Sequence, residues 1–205
     1  FELSGEQAVD YFNTFLAPFV RGVEKEEVKE QLRLFLKEIN RTFSGTVSLG
    51  LELSMPSFLS KTRVFGANGE ILGNYGDFVD ESLLIASILL EVMLEETRRE
   101  PIFNPRIIIK IRPETFQKSE SERLLYQSHR LAVEIGLPHF ANLCLKKGSR
   151  SSYAMSGTRF DDDWNGDWEL DTVRTGTVGS VIINLPRITY DSEGKKDAFF
   201  EHLYD

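Results

Sequence analysis

RIIIKIR, residues 106–112, is a short run of β-branched residues bracketed by cations. Its length and composition predict a buried strand with charged ends. Upstream, Leu83, Leu84, Ile85, Ile88, Leu89, Leu90, Val92, Met93 and Leu94 cover nearly the whole circumference of a helix over 80–98, so that helix should be deeply packed. Before it, TVSLGLELS (46–54) alternates Val47, Leu49, Leu51 and Leu53 with Ser48, Gly50 and Glu52, as a strand with two unlike faces does. The segment between them, Phe65 to Gly76, reads as a glycine-rich loop.

Downstream, Ser119 and Glu122 cap a helix that carries Leu124, Leu125, Leu131, Ala132 and Ile135 and closes at Gly136. HFANLCL, from His139, is a third strand, SVIINL, from Ser180, a fourth, and a short helix spans 195–202. At the other end, Ser4 and Gln7 form a capping pair, and Val9, Phe12, Leu16 and Phe19 follow at helical spacing, with Pro18 and Gly22 at the terminus. A second helix over 24–42 has Val28, Leu32, Phe35, Leu36 and Ile39 on one stripe and charge on the other. These two helices read as an outer layer or as a surface for a partner helix. Strand, helix, strand, helix, strand predicts an α/β fold with a mainly parallel sheet. The chain thus divides into a helical layer (1–43), a βαβαβ unit (44–145), an inserted loop (146–179), and a strand with a terminal helix (180–205).

Composition narrows the function. A net charge of −8 over 205 residues argues against a general nucleic-acid or anionic-membrane surface. A single cysteine, Cys144, excludes an internal disulfide and a cysteine-rich metal site within this chain. With no signal peptide and no long apolar run, a cytoplasmic setting is expected. About 35 residues without helical pattern separate the third and fourth strands, and loops of that length are usually functional or disordered. Within that loop, Trp164 and Trp168 read as anchors, and Asp161–Asp163 as a solvated acidic turn without metal-ligand spacing. His129, His139 and His202 show no ligand spacing either.

RTGTVGSVIINLPRI, residues 174–188, closely resembles a segment of the anaerobic, glycyl-radical (class III) ribonucleoside-triphosphate reductases. The agreement covers Thr175, Gly176, Gly179, Val181, Ile183, Asn184, Leu185, Pro186, Arg187 and Ile188. YFNTFLAPFVRG, GTVSLGLELSMP and LPHFAN are more loosely similar to other segments of the family, in the same order. The resemblance implies a central piece, about half, of a ten-stranded α/β barrel that reduces ribonucleotides to deoxyribonucleotides by radical chemistry. It also implies a glycyl radical and a zinc site outside these residues, deoxynucleotide or ATP effectors, a homodimer, and a separate iron–sulfur activating enzyme that uses S-adenosylmethionine.

In the family a loop cysteine becomes the thiyl radical, and an arginine follows it. Here the corresponding stretch reads MSGTRF, so the resemblance places Ser156 or Thr158 at the cysteine's position and Arg159 after it. Neither hydroxyl supports thiyl chemistry, because an O–H bond is far too strong for reversible hydrogen exchange with a carbon radical. The chain as given is therefore expected to be inactive in that step. As plain residues, both are also ordinary loop hydroxyls. The substrate-side candidates are Arg159, Gly176, Thr177, Asn184 and Arg112. Arg112 and Lys110 stand at a strand end, where parallel sheets place ligands, although a solvent-facing charge is the default there. Glu52 points either into a barrel interior or onto a wet face. A rival reading is a non-catalytic nucleotide-binding or interaction module that kept the fold.

Overall fold

The computed structural model describes residues 7–42, 45–144, 151–153, 159–160 and 182–204. In chain order the first compact unit, residues 1–175, contains β1 (Gln7–Val9), α1 (Phe12–Val20), α2 (Lys25–Thr42), β2 (Val47–Glu52), α3 (Ser57–Ser60), β3 (Arg63–Phe65) and β4 (Ile71–Asn74). It continues through α4 (Val79–Thr97), β5 (Arg106–Ile111), α5 (Ser119–Ile135), β6 (His139–Asn142), β7 (Ser152–Tyr153) and β8 (Arg159–Phe160). The main sheet has the order β1-β2-β5-β6 and is parallel throughout, as the strand–helix alternation predicts.

The core lies on one side of this sheet. Val47, Leu49, Leu51 and Leu53 of the β2 segment and Ile107 and Ile109 of β5 pack under α1, α2 and α4. On α4, Ile85, Ala86, Ile88, Leu89, Leu90, Val92 and Met93 are all buried, because α1, α2, α5 and β2 enclose it. Each fully buried large aliphatic side chain contributes about 1.5–3 kcal/mol.

The charged face of α2 has a partner within the chain. Lys29 reaches Glu91 at 2.6 Å and Glu95 at 2.8 Å, Arg33 reaches Glu95 at 2.9 Å and Glu96 at 3.0 Å, and Lys37 reaches Glu96 at 3.0 Å, all on α4. The neighbouring helix that the amphipathic pattern called for is thus α4. Most of these pairs keep some exposure, so each contributes little, and their role is to fix the register of the two helices.

Several expectations are corrected. Gln7–Val9 is not the start of the first helix but an edge strand, with Gln7 paired to Val47 and Val9 to Leu49. The ladder satisfies the free edge of β2, and Tyr11, left-handed at φ 55°, then turns the chain into α1. Phe65–Gly76 is not a plain loop: β3 and β4 form an antiparallel hairpin with Gly69 at φ 81° in its turn. Phe65 and Ile71 are exposed and Val64 alone of β3 is buried, too short a pattern to betray the hairpin in the sequence. The expected Ser119 cap is not made. Lys118 takes the cap position, and its carbonyl accepts the Glu122 N–H at 3.1 Å.

The fourth strand is absent over its described part, since 182–184 have no regular structure and Leu185 opens a helix; Ser180 and Val181 lie outside the described residues. That helix, α6 (Leu185–Asp191), and α7 (Lys196–Tyr204) make up the described part of the second compact unit, residues 176–205. The Asn184 side chain accepts the Arg187 N–H at 3.0 Å, and Pro186 sits in the first turn, where its missing N–H costs nothing.

Gly136 ends α5 as expected, at φ 73°, and donates to the Ala132 carbonyl at 2.9 Å. A Cβ added there meets nothing within 4 Å, so the cost of alanine is purely one of backbone strain. Gly136→Ala should lower stability by about 1 kcal/mol, read as a shift of the urea midpoint at constant slope.

Candidate functional site

The second face of the sheet carries the chemistry. Because parallel partners share a face, the register Gly50↔Ile108 and Glu52↔Lys110 sets Glu52, Lys110 and Arg112 on the side away from the helices. Asp10, just past β1, joins them. The alternation in 46–54 therefore predicts two unlike faces correctly, but the polar one is dry. The side chains of Lys110, Glu52, Asp10 and Arg112 are 0%, 1%, 6% and 7% exposed. This removes the wet-face reading of Glu52 and the solvent-facing default for Lys110 and Arg112.

Burial of four charges is tolerable only if they are paired. Arg112 grips Glu52 with two parallel bonds, Nε to Oε2 and Nη2 to Oε1, both 2.8 Å. Lys110 Nζ lies 2.6 Å from Asp10 Oδ1 and 3.3 Å from Glu52 Oε1. These are charge contacts, poorly aligned as hydrogen bonds. Among the described residues two acids face two bases, so their formal charges cancel. Burial opposes ionisation of Glu52, but Arg112 and then Lys110 outweigh it and hold the carboxyl below its ordinary range. Burial likewise works against the Lys110 charge, yet Asp10 leads the groups that keep it protonated.

Tyr11 and Asn13 complete the site. The Lys110 ammonium sits 3.7 Å from the Tyr11 ring centroid. The Tyr11 hydroxyl is buried without a partner among the described residues. Burial first, then Asp10 and Glu52 against the opposing pull of Lys110, pushes the phenol up to about 12, so Tyr11 is neutral at ordinary pH. Asn13 donates to the Glu52 carbonyl at 2.8 Å and accepts the Glu52 N–H at 2.9 Å, closing the backbone where β2 leaves the sheet.

At the carboxyl ends of β2, β5 and β6, a cavity of about 400 Å³ opens between Pro56, Ser57, Phe58, Arg112, Pro113, Glu114 and Leu143. Such strand ends are where open α/β sheets hold ligands, and the volume lies in the usual range for them. Phe58 also meets the Tyr11 ring edge-on at 5.9 Å, which ties the cavity wall to the charge cluster.

The long loop returns to this face. β7 and β8 pair as an antiparallel hairpin, Ser152 with Phe160 and Tyr153 with Arg159. The Tyr153 N–H donates to Asp10 Oδ2 at 3.2 Å, across 143 residues of sequence. Arg159 therefore lies in a hairpin strand, and residues 154–158, which include Ser156 and Thr158, join the two strands and lie outside the described residues. Gly176, Thr177, the acidic run at 161–163, Trp164 and Trp168 also lie outside them. Asn184 belongs to the second unit, where its side chain caps α6. Cys144 is exposed and lies two residues beyond β6, not on it.

Of the site residues expected from sequence, Arg112 is thus placed on the cavity and Arg159 in the hairpin backbone. Asp10, Tyr11, Asn13 and Gly50 carry no sequence signal of comparable strength. An isolated aspartate before an aromatic residue becomes informative only once β1 is recognised as a strand.

A family model described as anaerobic ribonucleoside-triphosphate reductase matches residues 1–205. No curated protein and no solved structure matches the chain.

Proposed function

Since this chain belongs to the anaerobic ribonucleoside-triphosphate reductase family, we propose that it is a segment of the catalytic barrel and that its dry polar face is part of the barrel interior. The cavity at the strand ends receives the phosphates of a ribonucleoside triphosphate, with Arg112 as the cationic contact. The observation that supports this is the placement of Arg112: it lines the cavity while Glu52 fixes its guanidinium in orientation. A pre-oriented guanidinium loses little freedom on meeting an anion. The buried charges beneath it keep the site polar without admitting solvent, which suits chemistry that has to be shielded from water.

Arg159, Gly176, Thr177 and Asn184 are the further substrate-side residues, by resemblance. By the same resemblance, a glycyl radical installed by an iron–sulfur S-adenosylmethionine activating enzyme would supply the unpaired electron, and both it and a zinc site would lie outside these residues. Effector nucleotides, a homodimer and a cytoplasmic setting belong to the same proposal. Among the described residues no helix is long and apolar enough to cross a membrane.

A second reading, a nucleotide-binding module without reductase chemistry, is favoured by one observation. The MSGTRF stretch offers hydroxyls where hydrogen abstraction needs a thiol, and the one thiol in these residues, Cys144, stands elsewhere. Titration calorimetry tests what both readings share. A ribonucleoside triphosphate should bind Arg112→Lys about tenfold more weakly than wild type, because lysine cannot keep both the fork to Glu52 and a phosphate contact. Equal affinities would remove Arg112 from the site. Formation of a deoxyribonucleotide by the chain under anaerobic, activated conditions would remove the second reading.

A further inference from the structure

We infer that Asp10 is a positioning residue: its carboxylate, fixed by the buried charges of the sheet, holds the 152–160 hairpin on the polar face. The role assigned to that hairpin rests on the reading above; the hold itself rests on geometry.

The two oxygens of Asp10 have separate tasks. Oδ1 faces inward, accepting the Tyr11 N–H at 2.9 Å and meeting Lys110 Nζ at 2.6 Å. Oδ2 accepts the Tyr153 N–H from the hairpin at 3.2 Å. The carboxylate occupies space that β2 leaves open, since a Cβ on Gly50 would lie 2.0 Å from Oδ1. The strained left-handed Tyr11 directly after it turns the chain, so that Asp10 stays on the sheet while α1 departs. Lys110, charged and buried, keeps Oδ1 inward and so leaves Oδ2 for the hairpin. A charged acceptor also makes a stronger bond to a backbone N–H than a neutral one.

The consequence is a fixed base for residues 154–158, which include the two positions matched to the radical cysteine. Asp10 does not line the cavity at the strand ends, so its effect passes through the hairpin.

Hydrogen exchange of the peptide spanning 151–160, measured on the full chain, tests the inference. Tyr153→Pro removes the donor and leaves all four buried charges in place. It should speed exchange of the remaining amides of that peptide by about tenfold or more, with β2 and β5 unchanged. Tyr153→Ala keeps the N–H and should exchange as wild type does, which separates the backbone bond from the side chain. Asp10→Asn should move exchange in the same direction as Tyr153→Pro, and where it fails to fold, the Tyr153 pair decides. Equal exchange in Tyr153→Pro and Tyr153→Ala would overturn the inference, as would a Tyr153→Pro peptide as slow as wild type. Titrating the same samples with a ribonucleoside triphosphate keeps the two claims apart. A hairpin released by proline in a chain that binds no nucleotide supports the hold by Asp10 while removing the proposed function.

Discussion

Glu52→Gln should lower the unfolding free energy by about 3–5 kcal/mol, because it breaks a buried ion pair from one side. Glutamine fits the space and can accept a hydrogen bond from Arg112, but it carries no charge. Among the described residues, the anion left beside Lys110 and Arg112 would then be Asp10, which lies against Lys110. Uncompensated charge in a site this dry is far more costly than the loss of the pair itself. Against a typical total of about 5–15 kcal/mol, such a loss is a large fraction. Denaturant unfolding should show it as a lower midpoint.

The pH dependence follows from the same pair. The folded-state pKa of Glu52 lies below its ordinary value of 4.5. A depressed carboxylate contributes stability that is present above the unfolded pKa and is lost as pH falls through the folded one. The gap between wild type and Glu52→Gln should therefore be widest above 4.5 and close at lower pH, where protonated Glu52 resembles the amide. Unfolding curves from neutral to acid pH check this. A gap that stays constant would mean that the carboxylate charge is not what stabilises the site.

Gly50→Ala is the second large effect. The new methyl would lie 2.0 Å from Asp10 Oδ1, 3.1 Å from its Cγ and 3.3 Å from its Cα. The carboxylate cannot swing aside cheaply, because Lys110 and the Tyr11 N–H hold the same oxygen. Overpacking alone costs about 1–3 kcal/mol, and displacement of a buried ion pair adds to it, so about 3 kcal/mol is expected. A double-mutant cycle identifies the cause: Asp10→Gly should be less costly in the Gly50→Ala background than in wild type. Additive losses would show that the methyl clashes with something else.

The sequence is most legible where burial is one-sided or complete. RIIIKIR, the alternation at 46–54 and the strongly apolar helix at 80–98 all predict elements that the fold contains, because each pattern has one packing solution. The β1 segment misleads, since Val9, Phe12, Leu16 and Phe19 fit a helical period although Gln7–Val9 pairs with β2. NLPR misleads in the other direction. Its Asn cap and first-turn proline are helix-start signals, but the preceding Val181, Ile182 and Ile183 favour a strand reading. Alternation identifies the polar face of β2 but cannot say whether anything covers it. The hydrogen-bond partner that Asp10 finds there, Tyr153, is 143 residues away, and no local pattern reports such a contact. Ser156 and Thr158 are candidates by resemblance alone, and residues 154–158 lie outside the described residues.

Where a ribonucleoside triphosphate sits is the most direct question for the account, and amide-shift mapping answers it. On titration of the isotope-labelled chain, the largest shifts should cluster at Ser57, Phe58, Arg112 and Glu114, around the cavity at the strand ends, and the Tyr153 amide should stay bonded to Asp10. Saturating nucleotide that leaves those residues unmoved, or that shifts the outer face of α5 at Tyr126 and Val133 instead, would contradict the assignment of this cavity as the nucleotide site.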